Sequence, residues 1–421
     1  MTSTTSASSA ERSSFTSEQL TPLMSLGIMS FCLGMSQFII VGMLPSVAQA
    51  LTGGNAGQAN QLTAAYTIGI CIGLVLLPLA RKMNAKWFIT LLAVFMLVGN
   101  LLTWMLGLVG ASAFAPLLVA RFIAGVPHGT FFGVASLIAA QLAPKGKEGA
   151  ATAIVVTGQT VADVIGIPLG VYLASTIGWA PVFLIITILN VLALLLGVFT
   201  IPAIPAMTGE AGKKGSLIAA MKRVPFWAYA VATFLGGLGF FTFYNFVSAW
   251  AQKDAGFSTG FAGGVKSTIW LMVVAGLGMF VGSILAGRFV DQFSPARSLL
   301  IGLTWQSVAL ALLWLIAPHS AVFTYVLTFL ITASLFYVSG TPGLMVANDL
   351  TARGLAGGVL FNLTLNAGNF VGTQVGNSLE KVTSSYLPFA GVGLAFTLVS
   401  LLLTVYLVVD EKRETPSVIN D

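Results

Sequence analysis

Only two formal charges lie well inside the long apolar stretches of this 421-residue chain, Arg121 and Asp163. A charge at membrane depth is costly and normally faces a partner or a cavity. At about 1.5 Å per helical residue and a core of roughly 30 Å, Arg121 falls about 11 Å and Asp163 about 9 Å below the same membrane face. Gln37 comes out at the same level. An ion pair between Arg121 and Asp163, with Gln37 hydrogen-bonded beside it, is therefore expected. Such a pair allows two chemistries. Burial favours the neutral acid and a neighbouring cation favours the carboxylate, so a balanced aspartate can take a proton from one side and release it to the other. Alternatively, the pair stays ionised and locks two helices together. His128 follows Arg121 by seven residues, on nearly the same helix face. It either relays protons or packs as a neutral ring bonded across helices.

A second group of residues suits solute binding. Asn362, Asn366 and Asn369 recur at i, i+4 and i+7 on one helical stripe. Three amides facing lipid would be expensive, so they line a cavity or bond to neighbouring helices. Tyr244 and Asn245 stand in an aromatic run with Phe240, Phe241, Phe243, Phe246 and Trp250. Gln159, Thr160, Tyr66 and Tyr337 are weaker candidates. Amides, hydroxyls and rings fit a neutral or amphipathic organic solute such as a sugar, a nucleoside or a drug. Gly158, Gly166, Pro168 and Gly170 mark a bendable, closely packing helix. They read either as a pivot against the opposite half of the protein or as ordinary close packing.

The elements that carry these residues follow from composition. Hydrophobic residues make up 57% of the chain and charged residues 8%, and the mean hydropathy is +0.94. That excludes a soluble fold, whose charged share runs to roughly 25%, and it excludes disorder. Twelve windows are long and apolar enough to cross a bilayer: 23–45, 60–80, 87–108, 114–142, 149–174, 179–202, 225–250, 267–287, 298–317, 321–345, 354–378 and 386–408. Residues 1–22 are expected to be a disordered tail without a signal-peptide layout, 203–224 a linker, and 409–421 a second tail. With the N-terminus in the cytoplasm, fifteen of the 19 Lys and Arg lie inside, against Lys253, Lys266 and Lys381 outside. Both termini are then cytoplasmic. His319 falls in an outer loop.

An internal repeat divides the chain into halves 23–202 and 225–408. At an offset of 206 residues Asp163 meets Asn369, Gly166 meets Gly372 and Gly170 meets Gly376. Both segments lie in the fifth helix of their half. The remaining composition is uninformative for other chemistries. Cys32 and Cys71 offer neither a disulfide framework nor metal-ligand spacing. The basic residues form no continuous stripe for nucleic acid, and no Gly-Lys-Ser/Thr phosphate loop is present. No clustered nucleophile suggests an enzyme, and no segment of these 421 residues reads as a soluble output domain.

Four stretches resemble the major facilitator superfamily, in its drug and sugar proton-antiporter branch. They are Phe38-Ile39-Ile40-Val41-Gly42-Met43-Leu44-Pro45; Ala120-Arg121-Phe122-Ile123-Ala124-Gly125-Val126-Pro127-His128-Gly129; Thr157-Gly158 with Gly166-Ile167-Pro168-Leu169-Gly170; and Gly287-Arg288-Phe289-Val290-Asp291 with Arg297. The likeness is to arabinose-efflux-like permeases and to purine-nucleoside and chloramphenicol exporters. It implies an all-α integral membrane protein of twelve transmembrane helices in two pseudo-symmetric six-helix bundles. It further implies alternating access in the plasma membrane, with protons as the coupling ion, no other cofactor, and a monomer as the working unit. Asp291, Arg288 and Arg297 would brace the inner gate; an incidental acid in a basic cluster is the other reading. Where the branch usually carries Glu before the helix-one Phe, this chain has Gln37, and Asp163 replaces the usual Asn. The acid has moved from helix one to helix five. Proton-driven export is the function expected, with proton-coupled uptake or facilitated diffusion as the alternative.

Overall fold

The computed structural model describes residues 15–80, 82–145, 147–204, 220–255, 265–290, 292–316, 321–338, 341–350 and 355–414. Among these residues every element is helical. The first half holds α1 (Ser17–Thr52), α2 (Ala56–Ala80), α3 (Ala85–Val109), α4 (Ala111–Leu142), α5 (Glu148–Ile177) and α6 (Trp179–Thr200). The second holds α7 (Val224–Lys253), α8 (Val265–Val290), α9 (Pro295–Ile316), α10 (Ala321–Val338, resumed at Thr341–Leu350), α11 (Leu355–Glu380) and α12 (Leu387–Glu414). Ten of the twelve are long and apolar enough to cross a membrane. The exceptions have plain causes. The apolar helix of α10, Val322–Val338, is short, and α11 carries five amides, Asn362, Asn366, Asn369, Gln374 and Asn377.

Within each half successive helices run antiparallel, and the Gly57–Glu380 contact sets matching ends of the two halves together. The first residue of α1 and the last of α12 therefore share one end of the molecule, the terminal end. Thr52, Lys253 and Glu380 mark the far end. Most helices run a few residues beyond the expected windows, and two extend into the expected tails. α1 begins at Ser17, inside the expected tail, because Thr16 and Gln19 form a capping box that satisfies the first turn. α12 continues beyond the apolar run to Glu414. Most of the expected linker, with Asp291 and His319, lies outside the described residues.

The repeat is visible as a shared helix contact. Within the first half the glycines of α5 face α1: a Cβ on Gly158 would strike the Gly27 carbonyl, one on Gly166 the Met35 side chain, and one on Gly170 the side chain of Ile39. Within the second half Gly372 and Gly376 of α11 face α7, against Leu238 and Phe246. Fifth helix packs on first helix in both halves. For Gly158, Gly166 and Gly170 that is the close-packing alternative; none of the three faces the opposite half. Small residues mark a helix face that needs a close neighbour, and here that neighbour belongs to the same bundle. The cross-half approach on α5 comes instead from Gly276 of α8, whose Cα sits against the Asp163 carbonyl and Val164.

Pro168 shapes this contact. It cannot donate a hydrogen bond to the Val164 carbonyl, and its ring crowds that carbonyl. The helix accommodates it with a π-turn over Ala162–Gly166, in which the Ile167 N–H reaches back to the Ala162 carbonyl. The extra residue re-aims the turn that holds Asp163. Across the molecule α2 packs on α11, α5 on α8, and α1 beside α7. Between described residues, the hydrogen bonds that join the halves all lie in the far half. Gly158→Val should separate α5 from α1 and destabilise the protein by about 2 kcal/mol, read as a lower thermal midpoint in detergent.

Candidate functional site

Arg121 is completely buried inside the first half. Its Nη1 donates to Ser36 Oγ at 3.1 Å and its Nη2 to the Ser36 carbonyl. The guanidinium lies 4.7 Å from the Tyr66 ring centroid and 5.1 Å from that of Phe183. Aromatic faces attract a desolvated cation, so two rings and one serine take the place of a carboxylate. Ser36 Oγ in turn donates to Asn100 Oδ1 at 2.8 Å. Tyr66 donates to the Leu33 carbonyl at 3.3 Å and lies 3.1 Å from His128 Nδ1. The His128 ring packs between Tyr66 and Phe132. Helices α1, α2, α3, α4 and α6 thus share one buried polar cluster that contains a cation and, among the described residues, no acid.

Asp163 lies elsewhere. It is 1% exposed, and neither carboxylate oxygen has a hydrogen-bond partner among the described residues. The expected ion pair with Arg121 is not formed, and Gln37, buried on α1, bonds to neither. Depth along the helices does match, but depth fixes only one coordinate. Arg121 points into its own bundle at Ser36, whereas the π-turn turns Asp163 toward the seam between the halves. There Ala162 abuts Gly34 of α1, Gly276 of α8 touches the Asp163 carbonyl, and Tyr244 of α7 is within electrostatic reach. An ionised, unpaired carboxylate in such a place costs several kcal/mol. A bound proton, a cation or water would remove that cost.

The amides divide. α7 is interrupted by a turn at Asn245 and Phe246. The Asn245 carbonyl freed there accepts from Asn60 Nδ2 of α2 at 3.3 Å. Asn245 Nδ2 donates to Asn369 Oδ1 at 2.9 Å and to Thr373 Oγ1 at 2.7 Å. Asn245 and Asn369 are therefore bonded between helices and fully buried. Asn366 bonds back to the Asn362 carbonyl at 3.0 Å, and Asn362 is half-buried nearer the terminal end. Gln159 and Thr160 are half-buried on α5, one turn from Asp163. Tyr244 stacks on Phe240 and meets Phe38 of the other half edge-on, with ring centroids 4.9 and 6.0 Å apart.

Two tyrosines leave the solute group. Tyr66 belongs to the arginine cluster. Tyr337 is buried within the second half, 2.7 Å from the Ser298 hydroxyl and packed on Phe289 and Trp305. Arg288 and Arg297 are exposed at the terminal end. Sequence reasoning missed Ser36, Asn100, Asn60 and Thr63. Their signal was slight: Asn100 is a lone polar side chain in an apolar run, Ser36 adjoins Gln37, and Asn60 and Thr63 stand among other polar residues at the start of α2, none of which says anything of partners.

Comparison with known proteins agrees with this architecture. The sequence model described as Major Facilitator Superfamily matches residues 26–373. AraJ of Escherichia coli strain K12 is 28% identical over 388 residues, covering 90% of this chain and 94% of AraJ. The inner membrane transport protein YdhP of the same strain is 30% identical over 280 residues, 64% of this chain and 66% of YdhP. The xylose transporter XylE from E. coli, in a partially occluded inward open conformation, superposes with a TM-score of 0.71 at 14% identity, over 93% of this chain and 97% of XylE. The arginine cluster yields its own expectation. Arg121→Lys loses the planar stacking and the forked donation to Ser36. It should lower stability by about 2 kcal/mol, measured as a fall in thermal midpoint that Phe183→Leu reproduces in part.

Proposed function

Since this chain belongs to the major facilitator superfamily, we propose that its transport of small solutes is proton-driven export, with Asp163 as the proton-carrying group. The observation that carries this reading is an acid buried in the seam between two halves with no partner for either oxygen among the described residues. Such a group is tolerated when neutral and sealed, and it loses its proton readily once water reaches it. Relative movement of α5 and α8 changes that access. The excess of Lys and Arg supports a cytoplasmic terminal end, in the inner membrane of a bacterium as the name of YdhP suggests. The described cross-half bonds then lie on the outer side.

The solute is a neutral or amphipathic organic molecule. Its contacts are Asn362 and Asn366 of α11, Gln159 and Thr160 of α5, and the Tyr244 ring, which together offer amides, a hydroxyl and an aromatic face, with the α5 pair one turn from Asp163. A solute and a proton that alternate at neighbouring groups, each entering from the opposite side, give exchange. Exchange with a proton running inward is export.

Two experiments test this reading. In proteoliposomes under an imposed pH gradient, accumulation should follow the antiport direction. Asp163→Asn should abolish the gradient-driven component while solute exchange without a gradient persists. Gradient-driven transport at the parent rate in that variant removes Asp163 from the mechanism. Flux with the opposite sign makes the protein a symporter. Asn366→Ala should weaken solute binding about tenfold, the effect expected for one buried amide contact, measured by equilibrium binding across a panel of sugars, nucleosides and antibiotics.

A further inference from the structure

The far end of the molecule is held by a carboxylate that reaches from one half to the other. Glu380, the last residue of α11, accepts a hydrogen bond from the backbone N–H of Gly57 in the first turn of α2. We propose that Glu380 is the positioning residue of the far gate: it caps α2 across the seam, and its departure from α2 sets how often that end opens. The inference rests on the alternating-access reading above.

The first turn of a helix leaves several N–H groups without intrahelical partners. In α2 the Asn55 side chain takes the Gln58 N–H at 2.6 Å, and the Gly57 N–H is left to the opposite half. A carboxylate is well suited there, because the helix N-terminus carries partial positive charge. The approach requires glycine. A Cβ at Gly57 would collide with the Glu380 carboxylate and come within 3.3 Å of the Asn377 Cα.

Glu380 is aimed from its own side before it meets α2. Its Oε1 accepts from the Tyr386 hydroxyl at 2.8 Å. Tyr386 is fixed in turn by its own N–H, which donates to Asp254 Oδ2 at 2.5 Å, and by stacking on Phe246. Lys253 Nζ lies 5.4 Å from the same ring. One turn deeper, Gln61 and Gln374 exchange amide hydrogen bonds across the seam, each 3.0 Å long. Every one of these cross-half partners is a polar group that water can replace when the halves part. The contact is thus specific when closed and cheap to open, as a gate cycling with each turnover requires.

The test needs neither solute nor gradient. In a Cys32→Ser, Cys71→Ser background, Thr63→Cys places a thiol below the seam, at a position 1% exposed whose hydroxyl has no partner among the described residues. Its reaction with a membrane-impermeant maleimide is followed in spheroplasts. Glu380→Ala should speed labelling about fivefold, the effect of removing one carboxylate from a helix N-terminus. Glu380→Gln, which keeps an acceptor oxygen and serves as the folding control, should fall between Glu380→Ala and the parent. Gly57→Trp, a wedge, should speed labelling regardless of Glu380. Parent-rate labelling in Glu380→Ala, with faster labelling in Gly57→Trp, overturns the latch. No acceleration in either variant means that the far end does not open, and the alternating-access reading fails first.

Discussion

A hydrocarbon layer gives a buried charge no water to fall back on, and each charged group inside this protein answers that constraint differently. Arg121 is met in place: Ser36 takes two of its N–H groups and two aromatic faces enclose the cation. Asp163 is not met at all among the described residues. Of the Arg121 side-chain nitrogens only Nε is left without a partner among the described residues, and an ion so held stabilises one arrangement of helices. An unsatisfied one makes its surroundings conditional on what binds it. The first bundle is therefore built around its cation, whereas the seam between bundles contains an acid whose state depends on access.

Two kinds of helix contact follow from the same constraint. Inside each half, glycines let backbones approach until carbonyls and side chains touch, with α5 on α1 and α11 on α7. Such contacts rest on dispersion over shaped surfaces and tolerate little sliding. Between the halves the far seam is made of amides, hydroxyls and a carboxylate. Polar partners can be exchanged for water at small net cost. Rigid bundles joined by an exchangeable seam are the mechanical basis of a rocking carrier. The π-turn at Pro168 links the two, since it places Asp163 where a rigid bundle borders the seam.

Much of the fold was legible. Apolar runs of about 20 residues separated by short polar turns leave few alternatives to membrane helices, and the 206-residue offset located the same glycine face in both halves. α1 was read too short because a capping box in polar sequence started the helix before the apolar run. The site was legible as a set of residues but not as a geometry. Arg121 and Asp163 stand at matching depth, yet depth says nothing of azimuth: the arginine points at Ser36 and the acid sits in a π-turn against α8. Tyr337 stood among the weaker solute-binding candidates by its hydroxyl and ring; that hydroxyl meets Ser298, within its own bundle.

By itself the sequence determined which segments cross the membrane, how they halve, and which side chains are too costly to face lipid, since all three depend on composition and spacing along the chain. Tertiary structure decided which of those costly groups find each other. That depends on rotation about helix axes and on neighbours hundreds of residues away: Glu380 meets Gly57, Asn245 meets Asn60, and Asp163 meets no donor among the described residues. Hydrogen bonds need alignment to within tenths of an ångström, and no one-dimensional pattern fixes position that closely.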